Sequence, residues 1–211
     1  MTFDKEFKEA ISRLPSAEKD KLIFRLLKHD LDLANRLQFE LVSRDSVDDR
    51  RKQAKKRIEN MVEMSKKHAG YSSPGLLLMS MRDASGIVND HVKTTSDKYG
   101  EVHLQIFLLK EYLKIYNDYF MNTSADKAYT FNTYCVSKTF KIMVLLKKLN
   151  RDSQYGFANG LEETGRLFGD NPGLMKAAIN NGLDVNWLIR NEIPDKIAEM
   201  EKDLRQRGYL K

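Results

Sequence analysis

The sequence predicts an all-α protein, a multi-helix bundle around a central antiparallel hairpin of long apolar helices at about 101–120 and 126–150, with shorter helices at both ends. Along most of the chain, apolar residues recur at the three- and four-residue spacing of a helix face. Only four prolines occur among 211 residues. Lys, Glu, Leu and Met, which lose little side-chain freedom in a helix, are frequent.

The first 45 residues contain three short helical segments. The periodicity places them at about 4–14, 17–28 and 31–42, where Pro15 ends the first and Ser16 caps the second. Each segment carries apolar residues at helical spacing. We expect these helices to pack on one another as hairpins.

Two long helices are predicted before the central pair. Ser46, followed three residues later by Asp49, is typical of a capped helix start and predicts a helix over about 47–69. After the break at Gly70, Pro74 can open a second helix over about 75–94. In that helix, the run from Leu76 to Met81 is a candidate adaptable contact surface because methionine fits irregular partners.

The central helices are apolar on more than one side. Such helices must be covered by neighbours, which places the segments 101–120 and 126–150 in the middle of the bundle. The connection between them is so short that they form an antiparallel hairpin.

The last third of the chain differs in composition, with glycines at short intervals after Asn150. We predict short helices at about 161–168 and 173–180, then a final helix that opens at Pro194 and stops at Gly208. We expect one helical domain over 1–211. Its three parts are short N-terminal helices at 1–45, a long-helix core at 46–150 and a Gly/Asn-rich helical segment at 151–211.

Composition limits the environment and the partners. The formal net charge of +6 is spread thinly, with 17 Lys and Arg against 13 Asp and Glu in the first 70 residues. One cysteine, Cys135, excludes an intramolecular disulfide and fits a reducing compartment. Neither a secretory leader nor a long apolar run is present, so we expect a cytoplasmic chain without a membrane partner.

The strongest charge feature is a run of six basic residues within eight positions. Clusters of this kind bind nucleic-acid phosphates by releasing counterions, whereas the alternative is a solvated helix face. The i,i+4 pairs Asp48–Lys52 and Lys55–Glu59 favour the solvated face, and the helix has no aromatic residue to stack bases. The candidate nucleic-acid residues are Arg50, Arg51, Lys52, Lys55, Lys56 and Arg57.

A second group contains residue types that bind metals but lacks a recognised spacing. It could converge where one long helix ends and the next begins, although decoration of helix ends is the simpler interpretation. Motifs of serine hydrolases, zincins and di-iron bundles are absent from the sequence. The members of this group are Asp83, Asp90, His91, Glu101 and His103.

Three hypotheses on function follow. The absence of catalytic motifs and the many amphipathic helices favour a non-enzymatic interaction or scaffold protein that binds another protein, either a second copy or a different chain. Nucleic-acid binding through the run at 50–57 is the first alternative. A metal-dependent enzyme with an unrecognised site is the second. We expect no cofactor and assign no catalytic residue.

Overall fold

The computed structural model describes residues 2–211, and within them all regular structure is helical. Twelve α-helices, numbered α1 to α12, and one 3₁₀ turn at Ala69–Tyr71 follow one another along these residues. The helices are α1 Lys5–Arg13, α2 Ser16–His29, α3 Leu31–Val42, α4 Val47–His68, α5 Pro74–Thr95, α6 Lys98–Phe120, α7 Ala125–Lys147, α8 Arg151–Tyr155, α9 Ala158–Gly169, α10 Pro172–Asn180, α11 Asn186–Ile189 and α12 Ile197–Gln206.

Side-chain caps decide where the long helices begin. Ser46 and Asp49 form a reciprocal capping box at the start of α4. Ser73 accepts the amide of Leu76, and Pro74 occupies the first turn of α5. These two starts follow the sequence prediction within a residue.

The central antiparallel hairpin is confirmed as α6 and α7. Twelve of the 23 residues of each helix are buried, so both are covered by neighbours around most of their circumference. Tyr116 of α6 stacks on Phe131 of α7 with their ring centroids 4.4 Å apart. The hydrophobic core draws on every helix from α4 to α12 except α8 and is centred on this pair.

Helix ends differ from the prediction where a polar side chain supplies a cap. α6 starts at Lys98, earlier than expected, because the Asp97 carboxylate accepts the amide of Gly100 at 2.8 Å. α7 ends at Lys147 rather than near 150, because Asn150 caps the separate short helix α8. The last helix starts at Ile197, since the residues after Pro194 form a turn.

The Gly/Asn-rich segment packs on the hairpin. α9 lies against α6, and both α10 and α12 lie against α7. Gly165 permits the close approach of α9 and α11, because a Cβ atom there would lie 2.7 Å from the Ile189 side chain.

Within residues 2–211, the helices are too short or too polar to cross a lipid bilayer.

Candidate functional site

The first three helices differ from the rest of the molecule because they contribute nothing to its core. No residue of α1, α2 or α3 is buried. We call residues 2–45 the N-terminal arm. α2 packs on α3 and α3 packs on α5, so the arm is joined to the body through its last helix.

The N-terminal arm exposes ten large apolar side chains. Single exposed apolar residues are ordinary on any protein, but ten of them in one segment without a buried residue indicate a surface that binds something. The ten residues are Phe3, Phe7, Ile11, Ile23, Phe24, Leu26, Leu31, Leu33, Leu41 and Val42.

In α1 the exposed apolar residues form a stripe. Phe7 and Ile11, four residues apart, lie on one face of α1, and Phe3, which precedes the helix, extends the stripe by its contact with Phe7. The rings of Phe3 and Phe7 lie 5.5 Å apart between centroids. Asp4 fixes the start of this helix by accepting the Phe7 amide at 2.7 Å. The stripe is therefore built locally, although nothing in the described chain buries it.

Polar and cation–aromatic contacts join the N-terminal arm to the body. Lys93 of α5 lies 2.8 Å from the Asp32 carboxylate of α3. The guanidinium of Arg50 lies over the Phe39 ring, 5.9 Å from its centroid. These contacts engage a different part of the arm from the apolar residues of α1 and α2.

Three of the six predicted nucleic-acid residues already contact aromatic or acidic side chains of the protein. Besides Arg50, Arg51 lies 5.3 Å over the Tyr99 ring and donates from Nε to Asp97 Oδ2 at 2.7 Å. Lys55 Nζ lies 4.8 Å over the Phe107 ring, so the expected pair of Lys55 with Glu59 is replaced by a cation–aromatic contact.

The other three basic residues face solvent. Lys52, Lys56 and Arg57 are exposed, and Lys56 lies 3.5 Å from Glu59. The exposed face of α4 thus presents isolated charges, one of them paired, rather than six free cations. Nucleic-acid binding at 50–57 stays a prediction that this geometry weakens.

The predicted polar cluster does not assemble. In residues 2–211, no three His, Cys, Asp or Glu side chains come close enough together to hold a metal ion. His91 is buried and pairs with Asp97, which lies outside the predicted group, at 3.1 Å. Glu101 lies 3.8 Å from Lys141. Asp83 and Asp90 are exposed.

The remaining member of that group, His103, faces cations instead of metal ligands. Burial lowers its pKa, and the charges of Lys55 and Arg51 lower it further. This environment favours the neutral imidazole. The five residues therefore occupy separate sites along α5 and α6.

Sequence reasoning missed a buried lysine. Lys138 of α7 donates from Nζ to the Ser85 hydroxyl at 2.7 Å, and that hydroxyl lies 3.3 Å from the Tyr134 hydroxyl. Burial, followed by the nearby Lys141, lowers the pKa of Lys138 to about 7. No local motif marks the position; its place on a helix that is apolar on several sides is the only signal that could have found it.

A Ser–Lys pair is a known catalytic arrangement when the amine takes the proton of the hydroxyl. Here the Ser85 hydroxyl also donates to the Met81 carbonyl at 2.8 Å. Its proton is therefore directed at the backbone rather than at Lys138. The arrangement satisfies the buried ammonium, and we assign no nucleophile to it.

Comparison with protein families, with characterised proteins and with solved structures finds no match to this chain.

Proposed function

We propose that this chain is a non-enzymatic interaction protein whose N-terminal arm binds a second protein chain, and that this second chain is another copy of itself. One observation carries the proposal. The described part of the arm buries no residue and exposes ten large apolar side chains, whereas the helices from α4 to α12, except α8, share one core.

The free energy available from this surface is sufficient for a complex. Burying one fully exposed large apolar side chain contributes roughly 1.5–3 kcal/mol, and these ten side chains are 37–79% exposed, so each contributes a fraction of that. A micromolar to nanomolar complex needs about 8–12 kcal/mol after the costs of association. Burial of only part of the ten side chains in each of two arms therefore supplies a free energy of the order that such a complex needs.

The charge of the arm favours a protein over a polyanion. Residues 2–45 contain nine Lys and Arg and nine Asp and Glu, so the net charge of +6 resides in the rest of the chain. A neutral arm gains nothing from counterion release on nucleic acid or from an anionic lipid surface.

The distribution of these charges favours a second copy in particular. In α1, Lys5 and Lys8 alternate with Glu6 and Glu9 beside the apolar stripe. Two such helices in antiparallel contact can place opposite charges side by side, which is the self-complementarity that a two-fold interface requires.

Sedimentation velocity on the full chain from about 1 to about 100 μM, a range that spans typical dissociation constants, tests the proposal. We expect the mass to rise from one chain to two with concentration. The double variant Phe7→Asp/Phe24→Asp should remain a single chain, because each carboxylate would be buried without a partner. Circular dichroism checks that the variant keeps its helix content.

Tyr155→Asp is the matched control, because Tyr155 is an exposed apolar residue of α8, outside the arm. This variant should associate as the wild type does. A wild-type chain that stays single over the whole range contradicts the proposal. So does equal loss of association in the control, or binding of the arm to anionic vesicles in place of a second chain.

The location belongs to the same proposal. A reducing compartment, the cytoplasm, fits a chain whose one cysteine, Cys135, is a buried free thiol. Fractionation of cells that express the tagged chain tests this assignment.

A further inference from the structure

A cleft of about 740 Å³ opens where the start of α7 faces α10 and the residues that follow α12. Its volume is within the range of clefts that hold organic ligands, about 300–1,000 Å³. Its lining contains no residue of the N-terminal arm, so ligand binding in it is independent of the proposed association.

The wall of this cleft contains two buried oxygen atoms without hydrogen-bond partners. Asn132 and Thr133 are 5% and 2% exposed. Asn132 Oδ1 and Thr133 Oγ1 make no hydrogen bond to any atom of residues 2–211. Buried polar atoms are almost always paired. Both atoms are closed to solvent in this structure, so a ligand in the cleft reaches them only when the wall shifts around it. Their position on the wall of one cleft makes them the groups that such a polar ligand would pair.

A third polar group belongs to the same wall. Tyr116 lines the cleft beside Asn132. Burial raises the pKa of Tyr116 to about 12, although a side-chain hydrogen bond with Asn132 acts to lower it. The hydroxyl therefore stays protonated at neutral pH and can donate a hydrogen bond. The wall thus offers an amide oxygen as acceptor and two hydroxyls that donate or accept.

The rim of the cleft supplies charge. Lys176 of α10 is exposed and forms no ion pair with the described residues, whereas Arg207 is paired with Asp203 at 3.0 Å. The start of α7 also lies at the rim, and its cap residue Ser124 makes no side-chain capping bond. Unbonded amides at a helix start attract anions. Asp126, in the first turn of α7, opposes them and supplies acceptors for hydroxyl groups.

Aromatic faces complete the lining. Tyr129 and Tyr209 line the cleft and are partly exposed. An exposed tyrosine ring offers a face on which a planar group can stack.

We propose that this cleft binds a nucleoside monophosphate, with an N–H group of the base donated to Asn132, the sugar hydroxyls facing Asp126, and the phosphate at Lys176 and the start of α7. A planar N–H-bearing ring, hydroxyls and a terminal anion match the three kinds of group that the cleft presents. A simple anion would leave Asn132 and Thr133 unpaired, and an apolar ligand would leave the cationic rim unused.

Isothermal titration of the full chain with the four common nucleoside monophosphates tests the proposal, with the matching nucleosides and inorganic phosphate as comparison probes. We expect at least one monophosphate to bind at least tenfold more tightly than its nucleoside and than phosphate. Asn132→Leu and Lys176→Gln should each weaken that binding at least fivefold.

Two variants serve as matched controls. Gln105 is a buried amide of α6 whose polar atoms are also unpaired, and it is not part of the cleft lining. Gln105→Leu should leave binding unchanged, as should Lys202→Gln at an exposed lysine of α12. If Asn132→Leu unfolds the protein, the exposed Lys176→Gln variant still reports on the site.

Two results would overturn the proposal. One is the absence of heat from every monophosphate at millimolar concentration, which would mean that water alone serves the buried polar groups. The other is binding of inorganic phosphate as tight as that of the monophosphates, unchanged by Asn132→Leu, which would indicate only a surface anion site.

Discussion

Arg51 Nε donates a hydrogen bond to Asp97 Oδ2 at 2.7 Å, and this contact joins α4 to the turn between α5 and α6. The same carboxylate accepts the amide of Gly100 at 2.8 Å and lies 3.1 Å from the His91 ring nitrogen. Its side chain is only 6% exposed. Asp97 is therefore the centre of a buried polar junction between three long helices.

Asp97→Asn should change how the stability of the fold depends on pH. Burial alone raises the pKa of this carboxyl, but Arg51 and the Gly100 amide outweigh it, so the pKa lies below the usual 3.8. The ionised form stabilises the fold above pH 3.8, and that stability is lost as pH falls through the lower, folded-state pKa. The wild type should therefore lose more stability than Asp97→Asn between about pH 6 and pH 3.

At neutral pH, Asp97→Asn should cost about 1–3 kcal/mol, because Arg51 loses a charged partner while the amide oxygen can still cap α6. Urea unfolding at each pH measures both effects. Asp48→Asn is the control: Asp48 also contacts Arg51 at 2.7 Å but is exposed, so its removal should cost under about 1 kcal/mol. Equal losses in the two variants would contradict the buried junction.

Gly100→Ala should destabilise the protein although alanine is the better helix former. A Cβ atom at this position would lie 2.0 Å from Asp97 Oδ2 and 2.6 Å from Arg51 Nε, so the junction must move apart. We expect a loss of about 2 kcal/mol or more. Gly86 of α5 is a matched control, since its Cβ would meet nothing within 4 Å. Gly86→Ala should gain about 0.5–1 kcal/mol. Thermal unfolding of both variants shows whether each substitution stabilises or destabilises the fold.

The helices were predictable from the sequence because their signals are local. Ser46 and Asp49 lie three residues apart and define the start of α4 by themselves. The burial of α6 and α7 followed from apolar residues on several sides of each helix.

The contacts of charged residues were not predictable in the same way. Arg51 and Asp97 are 46 positions apart, and Lys55 contacts Phe107 rather than the nearby Glu59. Helical spacing shows which partners lie within reach on one helix, but the choice among them depends on which other helix is adjacent. The buried contact of Lys138 could not be predicted for the same reason, since its partner Ser85 lies 53 positions away.

Lys138→Met should stabilise the protein most at low pH. The pKa of Lys138 is about 7 in the fold, against 10.5 for an ordinary lysine. The unfolded chain therefore binds the extra proton between these values, and wild-type stability rises with pH across them. Below pH 7 the full cost of the buried charge remains, so the variant should be more stable there by about 2–4 kcal/mol.

The difference between Lys138→Met and the wild type should shrink as pH rises from 7 towards 10.5. Denaturant unfolding at about pH 6, 8 and 9.5 measures it, in the window set by the two pKa values. Lys127→Met, at an exposed lysine of the same helix, should show no such pH dependence. A constant difference at all three pH values would mean that Lys138 titrates normally in the fold.

Cys135 should resist thiol reagents until the protein unfolds. Its side chain is fully buried in α7, and burial raises the pKa of the thiol, so that the reactive thiolate is scarce. A coloured disulfide reagent should therefore label it at the rate at which the core opens. Thr130→Cys provides a comparison thiol on an exposed position of the same helix and should react at least about a hundredfold faster.

The same labelling separates the N-terminal arm from the core. No residue of α1 to α3 is buried, so charges introduced by Phe7→Asp/Phe24→Asp should not change how often the core opens. At concentrations where the chain is single, the labelling rate of Cys135 in this variant should therefore stay within about twofold of the wild-type rate. Lys138→Met, one turn from Cys135, should slow the labelling at pH 6 because it removes a buried charge from the same helix. A Cys135 rate that follows the arm variant instead would place the arm within the cooperative unit that holds α7 closed.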